Sequence, residues 1–189
     1  MKILHIGYDS QFLQFISKTF ERAAPGCNDY AIISKKTKEH LTHKITKGQI
    51  KIIKPSVIGL FKIAILARKY DALIAHSLTY YSTIAFLGAS RKTVRVWSGW
   101  GSDYYPNDIC ELLGEKTNEL FVELKNKSQK KVSFIKLGWR KLFSKFKSIC
   151  ISEIDYFSAP IPNDVLILRR NYPQFRGEYI QLNYGSVEE

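Results

Sequence analysis

Cysteine is scarce in this 189-residue chain, and its placement excludes two architectures. Cys27, Cys110 and Cys150 are odd in number, widely spaced and free of a CxxC pair. That argues against a disulfide framework and a zinc site, and for reduced thiols in a cytoplasmic protein. Acidic residues are also in deficit: 17 Asp and Glu stand against 29 Lys and Arg, a formal net charge of +12. Such an excess implies an acidic partner: nucleic acid, an anionic membrane or a phosphorylated ligand. No apolar run is long enough to span a bilayer, since the longest, Val57 to Ala67, is broken by Lys62. The amino-terminal stretch Met1-Lys2-Ile3-Leu4-His5-Ile6-Gly7 lacks a signal-peptide shape, because its short apolar run meets Tyr8 and Asp9 at once. Internal repeats, low-complexity segments, a Walker A loop and a GxGxxG pattern are absent. His40 and His43 are three apart but sit among lysines without cysteines or clustered carboxylates, so neither a metal nor a cofactor is expected.

What is present is a chain 45% apolar, enough for a packed core in one large domain or two small ones. Ile3–Gly7 reads as a strand, and Asp9 or Ser10 can cap a helix running to Arg22 on Phe12, Phe15, Ile16 and Phe20. Tyr30–Ile33 is a second strand, the Lys-rich Ser34–Gly48 a mobile loop, and Ile50–Ile53 a third strand. The helix from Pro55-Ser56 to Arg68 is apolar nearly all round and is therefore expected to be buried. Ala72–His76 and Val94–Trp97 are further strands, with a helix capped by Ser77 or Thr79 between them. Strands alternating with helices predict a doubly wound, mostly parallel α/β sheet of Rossmann-like type, covered on both faces. After Pro106 the spacing predicts helices over Asp108–Leu113 and Asn118–Lys125 and a basic connector to Lys131. A cationic helix over Phe134–Ser148, a short strand over Ser148–Ile151 and a last helix and extended segment ending at Gly185 follow.

The most informative stretch is Val94-Arg95-Val96-Trp97-Ser98-Gly99-Trp100-Gly101-Ser102-Asp103-Tyr104-Tyr105-Pro106. A buried strand breaks there into glycines, aromatics and a carboxylate, at the strand end where open α/β sheets bind ligands. Aromatic faces stack on sugar rings, a carboxylate accepts hydroxyl protons, and glycines let a ligand approach the backbone. The alternative is a tight, aromatic-packed turn held by Asp103.

Several segments resemble glycosyltransferase family 56, the enterobacterial 4-acetamido-4,6-dideoxygalactose transferases, also described as 4-alpha-L-fucosyltransferases. They are Lys2–Ile6 with Asp9 and Phe12, Asp71–Leu78 ending a strand in His76, the Trp97–Tyr105 signature, and Ile154–Ser158. The resemblance implies the amino-terminal, acceptor-binding domain of a GT-B enzyme over residues 1–189. The carboxyl-terminal domain that binds the nucleotide sugar is then absent from this chain, and the fragment alone is expected to be inactive. The implied reaction moves a sugar to a lipid-linked or saccharide acceptor in surface polysaccharide synthesis.

Such chemistry needs a base for the acceptor hydroxyl and stabilisation of the leaving diphosphate. Asp103 leads as general base, followed by His76 and Asp9, and Ser98, Gly99, Trp100, Gly101, Tyr104, Tyr105 and Asp155 are candidates for substrate binding. Each catalytic candidate has a structural alternative: Asp103 as the bond that holds the turn, His76 as a satisfied core residue, Asp9 as a helix cap. Trp97 is expected in the core.

Lys136, Trp139, Arg140, Lys141, Phe143, Lys145 and Lys147 lie in a basic stretch without an acid, in which Ile135, Trp139, Leu142, Phe146 and Ile149 form an apolar stripe. That stripe reads first as core-facing and second as an element on an anionic membrane surface, which suits a cytoplasmic protein peripheral to the inner membrane. A nucleic-acid-binding module is the main alternative class and a stand-alone α/β enzyme the next; the lack of an RRM, KH or helix-turn-helix pattern argues against nucleic acid.

Overall fold

The computed structural model describes residues 1–43, 45, 48–105, 114–127 and 134–182. Strand β1 (Ile3–Tyr8) feeds helix α1 (Gln11–Ala23), whose start is fixed by Ser10: its Oγ accepts the Leu13 N–H at 3.3 Å. Strand β2 (Asn28–Ile33) begins earlier than the predicted Tyr30. The Lys-rich segment after it holds a short 3-10 turn (Lys38–His40), and Leu41 and Ile45 bury themselves against Leu13, Tyr30 and Ile32. The expected mobile loop is therefore tied to the sheet by two apolar anchors set among lysines.

Strand β3 (Ile50–Ile53) leads to α2 (Val57–Ala67), capped by Ser56, whose Oγ accepts the Gly59 N–H. Strand β4 (Ala72–His76) leads to α3 (Tyr80–Gly88), where Thr79 and Ser82 form a reciprocal capping box. Strand β5 (Val94–Ser98) is followed by α4 (Glu115–Lys127), α5 (Phe134–Ser152), β6 (Tyr156–Ser158), α6 (Asp164–Asn171) and β7 (Glu178–Tyr179). The expected helix over 108–113 and positions 128–131 of the basic connector lie outside the described residues. The predicted strand over Ser148–Ile151 is instead the last part of α5, where Cys150 and Ile151 face the core in helical register.

The seven strands form one all-parallel sheet in the order β3-β2-β1-β4-β5-β6-β7. This is a Rossmann-like α/β fold. Chain direction across the sheet reverses between β1 and β4, the switch point at which such sheets open a crevice at their carboxyl edge. Side-chain alternation divides the core. Leu4, Ile6, Leu73, Trp97 and Phe157 pack on one face with residues of α2, α3, α5 and α6. The other face is covered more lightly, by α1 with Leu41 and Ile45, and by Ile180 and Leu182 after β7.

Helix α2 departs from expectation. Gly59, Ile63 and Ala67 face the core, but Val57, Ile58, Phe61 and Ile65 are 59%, 67%, 67% and 61% exposed. Among the described residues no helix is long and apolar enough to cross a membrane.

Candidate functional site

The loop leaving β5 is built around Asp103. Its Oδ2 accepts the backbone N–H of Leu78 and the indole N–H of buried Trp97, both at 2.8 Å, and its Oδ1 accepts the Trp100 N–H at 2.9 Å. One carboxylate thus fastens β5, the loop and the start of the β4–α3 connection. Gly101 turns the chain with φ of +79°, a left-handed conformation that favours glycine, and its carbonyl accepts from Tyr104 and Tyr105. At Gly99 a Cβ would lie 2.6 Å from the Tyr104 ring and 2.7 Å from the Phe157 ring, so ring packing demands glycine there.

These contacts reassign several expected ligand residues. Ser98 is fully buried, and Gly99 and Gly101 serve the turn. Tyr104 is 1% exposed and donates its hydroxyl proton to Asp164, with burial the main cause of a phenol pKa pushed above its usual range. All four build the loop, and Ser98, Gly99 and Tyr104 are buried, so these three do not face solvent as a binding surface. Trp100 and Tyr105 remain partly exposed on its rim, and the Trp100 ring meets Phe12 edge-on at 4.3 Å between centroids. That contact joins the loops after β1 and β5.

His76, expected as a possible base, ends β4 beneath α1 and is 8% exposed. Its Nε2 lies 3.1 Å from His5 Nδ1, and His5 Nε2 lies 3.1 Å from Asn28 Oδ1. Asn28 donates through its amide nitrogen to Phe20, Glu21 and Ala24, which fixes its oxygen toward His5. His5 must therefore donate from Nε2 and accept at Nδ1, and His76 must donate from Nε2. Burial lowers the His5 pKa to about 4 and that of His76 well below its ordinary value. The pair is a neutral, buried relay, and His76 Nδ1 is left without a partner away from solvent. The next residue, Ser77, holds φ of 90°, a strained conformation for a side-chain-bearing residue, at the switch point itself.

Asp9 does not cap α1. Its Oδ2 accepts the Thr42 N–H at 2.8 Å, and its Oδ1 accepts the His43 N–H at 3.0 Å and lies 3.1 Å from His43 Nδ1. Partial burial pushes the Asp9 pKa up, but these hydrogen bonds outweigh it and hold the carboxyl below the usual range. With Nδ1 donating to Asp9, His43 keeps a basic lone pair on Nε2, and its side chain is 31% exposed. An imidazole oriented by a carboxylate is the arrangement general-base catalysis uses. Sequence reasoning set His43 aside as a metal ligand and did not find this pair.

A cavity of about 420 Å³ opens beside the β5 loop, lined by Tyr80, Tyr105, Arg140, Phe143, Lys147 and Tyr172 among others. Lys147 is positioned by donating to the Asp103 carbonyl at 2.7 Å and the Tyr172 hydroxyl at 3.2 Å. Two cations and several aromatic faces suit an anionic ligand with a ring to stack.

Asp155 lies elsewhere. Because residues 148–151 are helical, it precedes β6 and sits at the amino edge of the sheet, accepting the Arg95 N–H at 2.7 Å. A second cavity there includes Arg91, Arg95, Asp155 and Arg176, and it is separate from the carboxyl-edge group. Helix α5 also differs from expectation. Cys150 and Ile151 are buried, with Phe143, Phe146 and Lys147 partly so, while Trp139, Leu142 and Ile149 of the predicted stripe are 55%, 46% and 54% exposed. Arg140, Lys141 and Lys145 are exposed, and the Lys136 side chain lies outside the described residues. Among the described residues, no group of His, Cys, Asp and Glu could hold a metal ion.

No family model, curated protein or solved structure matches the chain.

Proposed function

We propose that this chain is the acceptor-binding lobe of a GT-B glycosyltransferase that works on a lipid-linked saccharide in surface polysaccharide synthesis. The observation that carries the reading is that the oriented Asp9–His43 pair and the Arg140–Lys147 cavity both lie at the carboxyl edge of the sheet, the one after β1 and the other beside the β5 loop. In this reading Asp103 shapes the site through its turn, and His43 replaces it as base. His43 Nε2 takes the proton of the acceptor hydroxyl. As that oxygen bonds to the anomeric carbon of the donor, the bond from that carbon to the nucleoside diphosphate breaks, and the diphosphate leaves with the electron pair. The donor would be presented by a second lobe. Arg140 and Lys147 face the diphosphate that links the acceptor sugar to its lipid, and Trp100, Phe12 and Tyr105 offer rings to the saccharide.

The test is a calorimetric titration with a farnesyl-diphosphate-linked N-acetylhexosamine, with inorganic pyrophosphate and single-stranded RNA run alongside. Binding of the lipid-linked sugar, weakened about tenfold by Arg140→Gln, supports the reading. No binding, an unchanged Arg140→Gln variant, or tight binding of RNA alone overturns it.

A further inference from the structure

We propose that the outward face of α2, with that of α5, is a docking surface for an anionic lipid bilayer, and that α2 is the element that enters the membrane interface. Val57, Ile58, Phe61 and Ile65 stand at helical spacing on the side of α2 turned away from the core, and all are more than half exposed. The helix has already buried Gly59, Ile63 and Ala67, so the outer stripe is surplus to folding. Contiguous exposed apolar side chains of this size mark a surface that is covered in use.

Charge identifies what covers it. Lys54, Lys62, Arg68 and Lys69 are exposed around the stripe, and the sequence from 54 to 70 contains no acid. On α5, Trp139, Leu142 and Ile149 are exposed beside Arg140, Lys141 and Lys145, and residues 134–152 contain no acid. Helix α3 packs against both α2 and α5, and all three share one side of the sheet. The result is a layer of apolar side chains interspersed with cations. A second copy of this chain would bring the same acid-free face against itself, which like-charge repulsion opposes. An interface of acyl chains beneath anionic head groups meets both features, and each Lys or Arg near such a surface raises partitioning about fivefold.

This surface does not depend on the transferase reading. Should that reading hold, α5 links the two, because it carries the exposed Trp139, Leu142 and Ile149 and also Arg140 and Lys147, which line the cavity. A ligand anchored in the bilayer then meets the site at the membrane surface.

Vesicle co-sedimentation tests the proposal, comparing phosphatidylcholine alone with phosphatidylcholine mixed with phosphatidylglycerol. The protein is expected on the mixed vesicles and not on the neutral ones, with binding lost at high salt. The exposed double substitution Ile58→Ser with Phe61→Ser is expected to lower the partition coefficient at least about tenfold, with unchanged circular dichroism. Lys62→Glu, which removes no apolar group, should lower it by a smaller factor. Absence from the mixed vesicles, full binding by the double variant, or a dimer in light scattering that the double variant dissolves overturns the proposal. Pyrophosphate titration of the cavity is read separately, so a failure here and a failure of the transferase reading are distinguishable.

Discussion

Asp103 receives three N–H donors from two loops and a core tryptophan, which uses its carboxylate for construction. Asp103→Asn keeps the shape but turns an NH2 group toward at least one donor. Stability should fall by about 1–3 kcal/mol in urea unfolding, and an unchanged midpoint would return Asp103 to the list of bases. The buried histidines give a second expectation with a definite sign. His5 titrates at about 4 when folded and near its ordinary 6.5 when unfolded, so the unfolded chain binds more protons between those values. The contribution is complete above about pH 6.5 and is lost as pH falls toward about 4, at up to about 1.4 kcal/mol per pH unit. His76, shifted down by the same burial, acts in the same direction, whereas Asp9 contributes only at the more acidic end, below the usual carboxylate range. Urea midpoints measured from about pH 7 down to about pH 5 should decline, and His5→Gln should flatten that slope. A level wild-type profile would contradict the neutral relay. None of this was legible in the sequence: His5 and His76 are 71 positions apart, and Asp9 and His43 are 34 apart. Spacing rules reach only neighbours along one element.

At the scale of elements, the alternation of short apolar runs with capped helices was enough to predict the strands, because Ser10, Ser56 and Thr79 each stop one geometry and start another. Hydrophobic period did not reveal which side of a helix faces the core. Helix α2 is apolar nearly all round, so its pattern carries no direction, and only packing on the sheet selects its inner face: Gly59 lies against Ile53 of β3, and Ile63 and Ala67 join the core with Leu4, Ile6 and Leu73. Helix α5 has two overlapping apolar stripes, and the one that includes Cys150 and Ile151 wins because it completes the core under Trp97 and Phe157. The α2–α3 contact is correspondingly close. A Cβ on Gly88 would sit 2.8 Å from Ala64 Cβ and 2.9 Å from its Cα. Gly88→Ala should therefore destabilise the fold by about 1–3 kcal/mol, against the gain that alanine normally brings to a helix. Thermal unfolding measures this, and a stabilised variant would mean the two helices can move apart at little cost.

Across the whole molecule, the parallel sheet concentrates its loops at one edge, and the strand ends read from the sequence put Asp9, His76 and Asp103 at that carboxyl edge. Asp155 was misassigned for the same reason in reverse, since one strand read where a helix runs moved it to the wrong edge. The net charge of +12 is the remaining global property, and it acts on two quantities with opposite signs. Basic residues without acidic neighbours repel one another in the compact state, so added salt should relieve that repulsion. Raising sodium chloride from about 10 mM to about 0.3 M shortens the screening length from roughly 30 Å to less than 10 Å. The unfolding midpoint should rise over that range by a few degrees, roughly what 1 kcal/mol produces in a domain of this size. Binding to anionic vesicles depends on the same cations but uses their attraction to lipid, so it should weaken over the same titration. A midpoint that falls with salt would show that internal ion pairs outweigh the repulsion. Vesicle binding that survives the same salt would show that the exposed stripe of α2 holds the membrane without help from its lysines.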